Sequence, residues 1–339
     1  MPPDSTATAS VAIADVVGVR ERTILQRMLA SQAFWVAAAL AVIVVFMCIK
    51  QPNDFGTIDN LYNITRNFSF IGIMALGMTA VIITGGIDLS VGSVMGIVVI
   101  VVGTILHANY SIWLGLAGGL ATGVICGLFN GFLIAVIGLS PFVTTLGTLA
   151  IARSAAVVLS QNKMIYQFGH AGDALFALGG GDFLNVANPV WLMLIMAVLF
   201  ALVLHLTPWG RHLFAIGGNE HAARLTGVPV DMIKVQAYVF CAVCAAISGI
   251  MILGWQGSAI NAVGTGYELR VIASTVIGGA NLMGGEGGAF GAVVGAALIE
   301  VIRNSLLMAG VDSNWQGTFV GAFIILAVLL ERVRRRRRD

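Results

Sequence analysis

Charge is what this sequence has least of. Only 10% of its 339 residues are Asp, Glu, Lys or Arg, against about 25% in an ordinary soluble domain. A globular fold of this length would lack the charged surface that water requires. The formal net charge of +2 gives no reason to expect a nucleic-acid partner. Cysteine is also scarce. The four present, Cys48, Cys126, Cys241 and Cys244, all fall in apolar stretches. Cys241 and Cys244 form a C-x-x-C, elsewhere a redox or zinc signature. Here the pair sits inside an uninterrupted hydrophobic run with no second pair, so it reads as two small buried residues. Catalytic motifs are missing: there is no G-x-S-x-G, no H-E-x-x-H and no phosphate loop ending in Gly-Lys-Ser/Thr. His107, His170, His205, His212 and His221 lack metal-ligand spacing. No metal, cofactor or enzymatic activity is therefore expected, and the chain cannot drive itself with ATP.

What is present is apolar length. Hydrophobic residues make up 58% of the chain and the mean hydropathy is +0.94. Crossing ~30 Å of hydrocarbon takes about 20 apolar residues as a helix. Candidate spans lie at 32–49, 68–84, 89–106, 111–137, 140–160, 189–206, 234–253, 269–284, 288–309 and 315–331. The runs are continuous rather than alternating, so the expected fold is all-α and polytopic, with about ten transmembrane helices, some short or broken. The segment Ala33 to Ile49 leads straight into further spans and has no small-x-small cleavage site, so it reads as a retained first crossing. The domain division that follows is an N-terminal segment 1–31, a membrane domain 32–331 and a basic tail 332–339 that carries Arg332 and Arg334 to Arg338. Lysine and arginine in the short loops orient the chain. With both termini cytoplasmic, the inside holds Arg20, Arg22, Arg27, Arg211, Arg224, Lys234 and the tail. The loop 207–233 is then cytoplasmic, and 161–188 is external.

Two short segments echo one another: VIITGGIDLSVG from Val81 to Gly92 and VIGGANLMGG from Val276 to Gly285. Each has a Gly-Gly, a polar residue, Leu and further glycine between apolar runs. Paired glycine interruptions of this kind mark the path in repeat-built transporters. The candidate path residues are Gly85, Gly86, Asp88, Ser90 and Gly92 in the first, and Gly278, Gly279, Asn281, Gly284 and Gly285 in the second. Asp88 or Ser90 can also serve as a helix cap. Arg153, Glu300 and Arg303 are further polar residues in or near spans, where ionisable groups are costly. Glu300 and Arg303, three apart, can pair on one helix face.

The loop 207–233 carries a short helix signature from Asn219 to Leu225. Asn219 suits the N-cap, Glu220 the favourable dipole end and Gly227 the C-terminal stop. So short a helix is not stable alone. Its small face (Ala222, Ala223, Gly227) would let another protein approach closely.

The run from Ala215 to Val228, AIGGNEHAARLTGV, resembles the coupling loop of ribose-type permeases, the membrane subunits of binding-protein-dependent ABC importers for monosaccharides. ALGMTAVIITGGIDLSVG (Ala75 to Gly92), GTGYEL (Gly264 to Leu269) and VIGGANLMGG (Val276 to Gly285) match the same family, in order, from about Asn53 to Leu330. The resemblance implies a permease homodimer in the bacterial inner membrane, surrounded by lipid, joined by an ABC ATP-binding subunit inside and a periplasmic sugar-binding protein outside. It implies that Gly218, Asn219, Glu220, Ala222, Arg224 and Gly227 form the coupling helix. It places Gly264, Tyr267 and Glu268 where the binding protein docks. Arg270 and Glu286 depart from the family pattern, which alters local charge. The rival reading is an ion-coupled secondary transporter, with Asp88 and Glu300 as candidate ion-site carboxylates. The particular solute is not written in these residues.

Overall fold

A computed structural model describes residues 31–312 together with 315, 317–319, 321 and 322. The segment 1–30, most of the candidate span 315–331 and the tail 332–339 lie outside the described residues. Among those described, the bundle consists of α1 (Gln32–Lys50), α2 (Ile58–Ile83), α3 (Val91–His107), α4 (Ile112–Gly131, continued by a π turn Phe132–Val136), α5 (Pro141–Leu159), α6 (Gly172–Gly179), α7 (Asn188–Leu206), α8 (Pro208–Gly218), α9 (Glu220–Leu225), α10 (Val230–Gln256), α11 (Tyr267–Ile277) and α12 (Ala289–Met308). A two-residue antiparallel hairpin, β1 (Asp182–Phe183) and β2 (Val186–Ala187), precedes α7. The chain is thus an all-α polytopic protein. Among the described residues, seven helices are long and apolar enough to cross a membrane: α1, α2, α4 with its π turn, α5, α7, α10 and α12.

Two boundaries differ from the hydropathy reading for a physical reason. The second helix begins ten residues before position 68, at Ile58. Thr57 caps it by accepting from the Asn60 amide, so the polar run through Asn63 and Arg66 is helical although it is not apolar. Conversely, the apolar stretch 269–284 is helical only as far as Ile277, because Gly278 and Gly279 end α11.

The centre of the bundle is α2 and α10, whose most apolar windows are 83% and 78% buried, against 11% for α1. Glycine sets how close their neighbours come. On α4, Gly115, Gly119, Gly123, Gly127 and Gly131 recur every fourth residue and all are buried. A Cβ on Gly127 would stand 2.5 Å from Val239 Cα, and one on Gly131 would stand 2.8 Å from Val235 Cα, both on α10. The two helices therefore run antiparallel, backbone to backbone, which is the small-residue packing that replaces the hydrophobic effect inside lipid. The stripe is present in the sequence at fixed spacing, though the hydropathy reading passed over it. Cys241 and Cys244 belong to the same arrangement on the other side of α10. Both are buried free thiols, and a Cβ on Gly77 of α2 would stand 2.7 Å from Cys241 Cα.

Contacts define two ends. At one, Gln32 donates to the carbonyls of Val276 and Ile277, and Gly285 N–H donates to Ile83 O at 2.9 Å. At the other, Gln51 donates to Met308 O, and Asn60 and Asn304 exchange side-chain amide hydrogen bonds. Between them, the non-helical segment 257–266 runs alongside α3. Ala259 faces Gly103, the carbonyl of Val263 faces Gly96, and Gly264 faces Gly92. That segment leads into α11, so only the second part of 257–277 is helix. Within a bilayer, irregular backbone is tolerated only against protein or a water-filled space. Here Arg153 of α5 donates to the carbonyls of Asn261 and Val263, both at 2.8 Å, and Ala259 exchanges backbone hydrogen bonds with Ile165.

Candidate coupling site and interrupted segments

The short helix stands where its caps put it. Asn219, extended at φ −160°, separates α8 from α9, and its Oδ1 accepts from Ala222 N–H at 2.9 Å. At the far end Gly227 takes φ +84°. Gly227 N–H donates to Arg224 O, and Val228 N–H donates to Ala223 O, which closes α9 with a Schellman motif. Nothing lies within 4 Å of a Cβ built on Gly227, so glycine is required there by backbone sign, not by space. Only Ala223 of α9 is buried, while Leu225 is 77% exposed. Glu220 and Arg224 tie α9 to the start of α10. Arg224 donates to both Asp231 carboxylate oxygens, at 2.7 and 3.3 Å, and Lys234 donates to Glu220. The bond to Asp231 holds the Arg224 guanidinium above its ordinary pKa.

The two echoing segments share construction as well as sequence. Each follows a helix that ends in a Schellman motif. Gly85 N–H donates to Ile82 O and Gly86 N–H to Val81 O; Gly279 N–H donates to Val276 O and Ala280 N–H to Thr275 O. The left-handed residue is the first glycine in one pair, Gly85, and the second in the other, Gly279. The polar residue then makes the same turn in both. Asp88 Oδ1 accepts from Ser90 N–H at 2.8 Å, and Asn281 Oδ1 accepts from Met283 N–H at 2.9 Å, each two residues on. Ser90 is the N-cap residue of α3 but makes no side-chain cap bond. Asp88 therefore shapes the turn into α3 rather than capping it in the usual position.

Asp88 also starts a buried relay. Ser90 Oγ donates to Asp88 Oδ1, Asn130 Nδ2 to Ser90 Oγ and Thr148 Oγ1 to Asn130 Oδ1. All four side chains are buried, so the relay fastens the first interruption to α4 and α5. The second interruption is fastened to the first by the Gly285–Ile83 bond. Both meet the C-terminal end of α8: a Cβ on Gly284 would stand 2.9 Å from Gly217 O and 3.1 Å from Gly85 N. Gly217 was not singled out from its sequence, where it is indistinguishable from Gly218; the geometry separates them.

Gly264 and Glu268 lie against the start of α3, and Tyr267 opens α11 between them. A Cβ on Gly92 would stand 2.5 Å from Glu268 Oε2, and one on Gly264 would overlap the Gly92 carbonyl. Glu268 Oε1 accepts from Gly266 N–H at 3.2 Å. Arg270 lies over the Tyr267 ring, 5.5 Å from its centroid. Glu300 is buried and paired with Arg303, whose Nε donates to it at 2.8 Å. Among the described residues no group of His, Cys, Asp and Glu is placed to hold a metal.

The bundle, its two joined interruptions and the capped helix at one end are those of a chain whose sequence falls among the membrane components of transport systems. Residues 60–328 match the family described as branched-chain amino acid transport system / permease component, and the chain belongs to that family. It is 37% identical to the ribose import permease protein RbsC of Escherichia coli strain K12, over 86% of this chain and 91% of that one. Identity to RbsC of Bacillus subtilis strain 168 is 35%, over 86% and 90%. Identity to the L-arabinose transport system permease protein AraH of Escherichia coli strain K12 is 33%, over 87% and 89%. No solved structure matches the chain.

Proposed function

We propose that this chain forms the translocation path of a binding-protein-dependent sugar importer and receives the ATPase stroke through α9. It is a permease subunit in a multi-pass inner-membrane complex, with an ATP-binding subunit and a substrate-binding protein as partners; it is not itself an enzyme. The named relatives import ribose and arabinose, so the cargo class is a monosaccharide or a related small polar solute. The observation that carries the coupling role is the exposed α9, capped at both ends and in contact through α8 with both interrupted segments.

The finer proposals follow from the connectivity. α3, the 257–277 crossing and the candidate span 315–331 bring the seven long helices to ten crossings, which leaves both termini and α8–α9 on the cytoplasmic side. Gly218, Asn219, Glu220, Ala222, Arg224 and Gly227 form the docking element. The two interrupted segments, with Asp88 and Asn281 at their turns, border the path. The binding protein docks over the segment that carries Gly264, Tyr267 and Glu268. Gly264 and Glu268 serve there by holding that segment against α3. Exposed apolar residues such as Val42, Ile125 and Val198 face lipid or a second permease copy in a homodimer. The ion-coupled alternative is disfavoured by the sugar-importer relatives, and one of its candidates, Glu300, is paired with Arg303.

The test is assembly. The co-expressed ATP-binding subunit should co-purify with the wild-type chain and be lost from Glu220→Arg. The chain alone should bind no nucleotide. Retention of the ATPase by Glu220→Arg would remove α9 as the docking element.

A further inference from the structure

We infer that Gly217 is the positioning residue that locks the coupling helix to both path interruptions at once, so that the three move as one body. The inference rests on the proposed coupling role of α9. Gly217 is the penultimate residue of α8, two residues before the α9 N-cap. A Cβ built on it would overlap the carbonyl oxygen of Ile83 and the amide nitrogen of Gly285, and would stand 3.0 Å from Gly285 Cα. Those are the two atoms whose hydrogen bond joins the interruptions. All the neighbours are backbone, so no side chain can swing aside to make room. Gly284 closes the contact from the other side, against Gly217 O and Gly85 N. By contrast, Gly218 has nothing within 4 Å of its Cβ position. Its neighbour on the chain is thus free where Gly217 is keyed.

The mechanical consequence is specific. A displacement of α9 reaches the end of α2 and the turn before α12 most directly through the Gly217 joint, alongside its side-chain ties to α10. Two packed backbones transmit strain with little compliance. The α2–α3 and α11–α12 interruptions therefore shift together, not in sequence.

The experiment uses the assembled importer, with permease, ATP-binding subunit and binding protein in lipid. Spin labels at His221 on α9, at Met283 in the second interruption and at Trp113 at the start of α4 report three distances. All three sites are exposed. Between nucleotide-free and vanadate-trapped states, the His221–Met283 distance should stay constant. Each distance to Trp113 should change by about 2 Å or more, the scale of helix shifts in switching proteins. A change in the His221–Met283 distance would overturn the lock. Constancy of all three would instead remove the coupling reading beneath it.

Gly217→Ala supplies the second readout. Such complexes should still assemble and hydrolyse ATP, with uptake per ATP hydrolysed reduced about tenfold, the scale of one coupling free energy. Wild-type uptake per ATP in Gly217→Ala, with uptake abolished in Glu220→Arg, would reject the lock while sparing the coupling helix.

Discussion

Along α4, Gly115 to Gly131 keep helical backbone and let α3 and then α10 approach. At the interruptions, Gly85 and Gly279 take left-handed φ values of 78° and 105° and end helices instead, and Gly284, at 91°, turns the chain between α11 and α12. In a water-soluble helix each interior glycine would cost about 1 kcal/mol relative to Ala. In lipid the helix keeps its internal hydrogen bonds regardless, and the missing side chain yields backbone contact. The first set builds a seam between two continuous rods. The second builds a joint between segments that stop. The same residue type thus supplies rigidity in one region and a place to bend in the other, and the local backbone sign distinguishes them.

Three substitutions probe that difference. The largest effect is expected in the seam. Gly127→Leu would drive a side chain into the Val239 backbone, and overpacking of this kind costs about 3 kcal/mol. It should lower the thermal unfolding midpoint in detergent far more than any change at the joint; an unaltered midpoint would mean that the α4–α10 contact is loose.

Arg153→Leu comes next. It removes two charge-assisted hydrogen bonds that hold 257–266, at about 2 kcal/mol. Hydrogen exchange should rise in that segment and not in α4 or α10. Exchange that stayed slow would show glycine packing against α3 to be sufficient on its own.

The smallest stability effect is expected at Gly85→Ala. The left-handed backbone costs an L-residue about 1–2 kcal/mol, but its Cβ has room, the nearest atom being Met283 O at 3.6 Å. Uptake should fall more than the melting midpoint does. The reverse order would make Gly85 part of the rigid seam.

Much of this was legible in sequence because it depended on local chemistry. The α9 caps needed only Asn219 and Gly227 at the right separation. The echo of Asp88 and Asn281 survived because both turns are closed by the residue's own side chain. What stayed hidden depended on distant partners. The stretch 257–266 falls between two candidate spans, and its sequence does not reveal that Gly92, Gly96 and Arg153 hold it alongside α3. Gly217 and Gly218 are adjacent and identical in type, and only Ile83 and Gly285 tell them apart. The polar start of α2 was missed because hydropathy stops at Arg66, whose guanidinium is 4.5 Å from the centroid of the Trp255 ring in the fold.

The central claim is that this chain is a conduit powered from outside itself. The direct measurement is uptake of radiolabelled monosaccharides into vesicles that hold the chain alone, the chain with its ATP-binding subunit, or both with the binding protein, with and without an ionophore. The account predicts accumulation only in the complete set with ATP, unaffected by ionophore. Accumulation by the chain alone, abolished by ionophore, would contradict it.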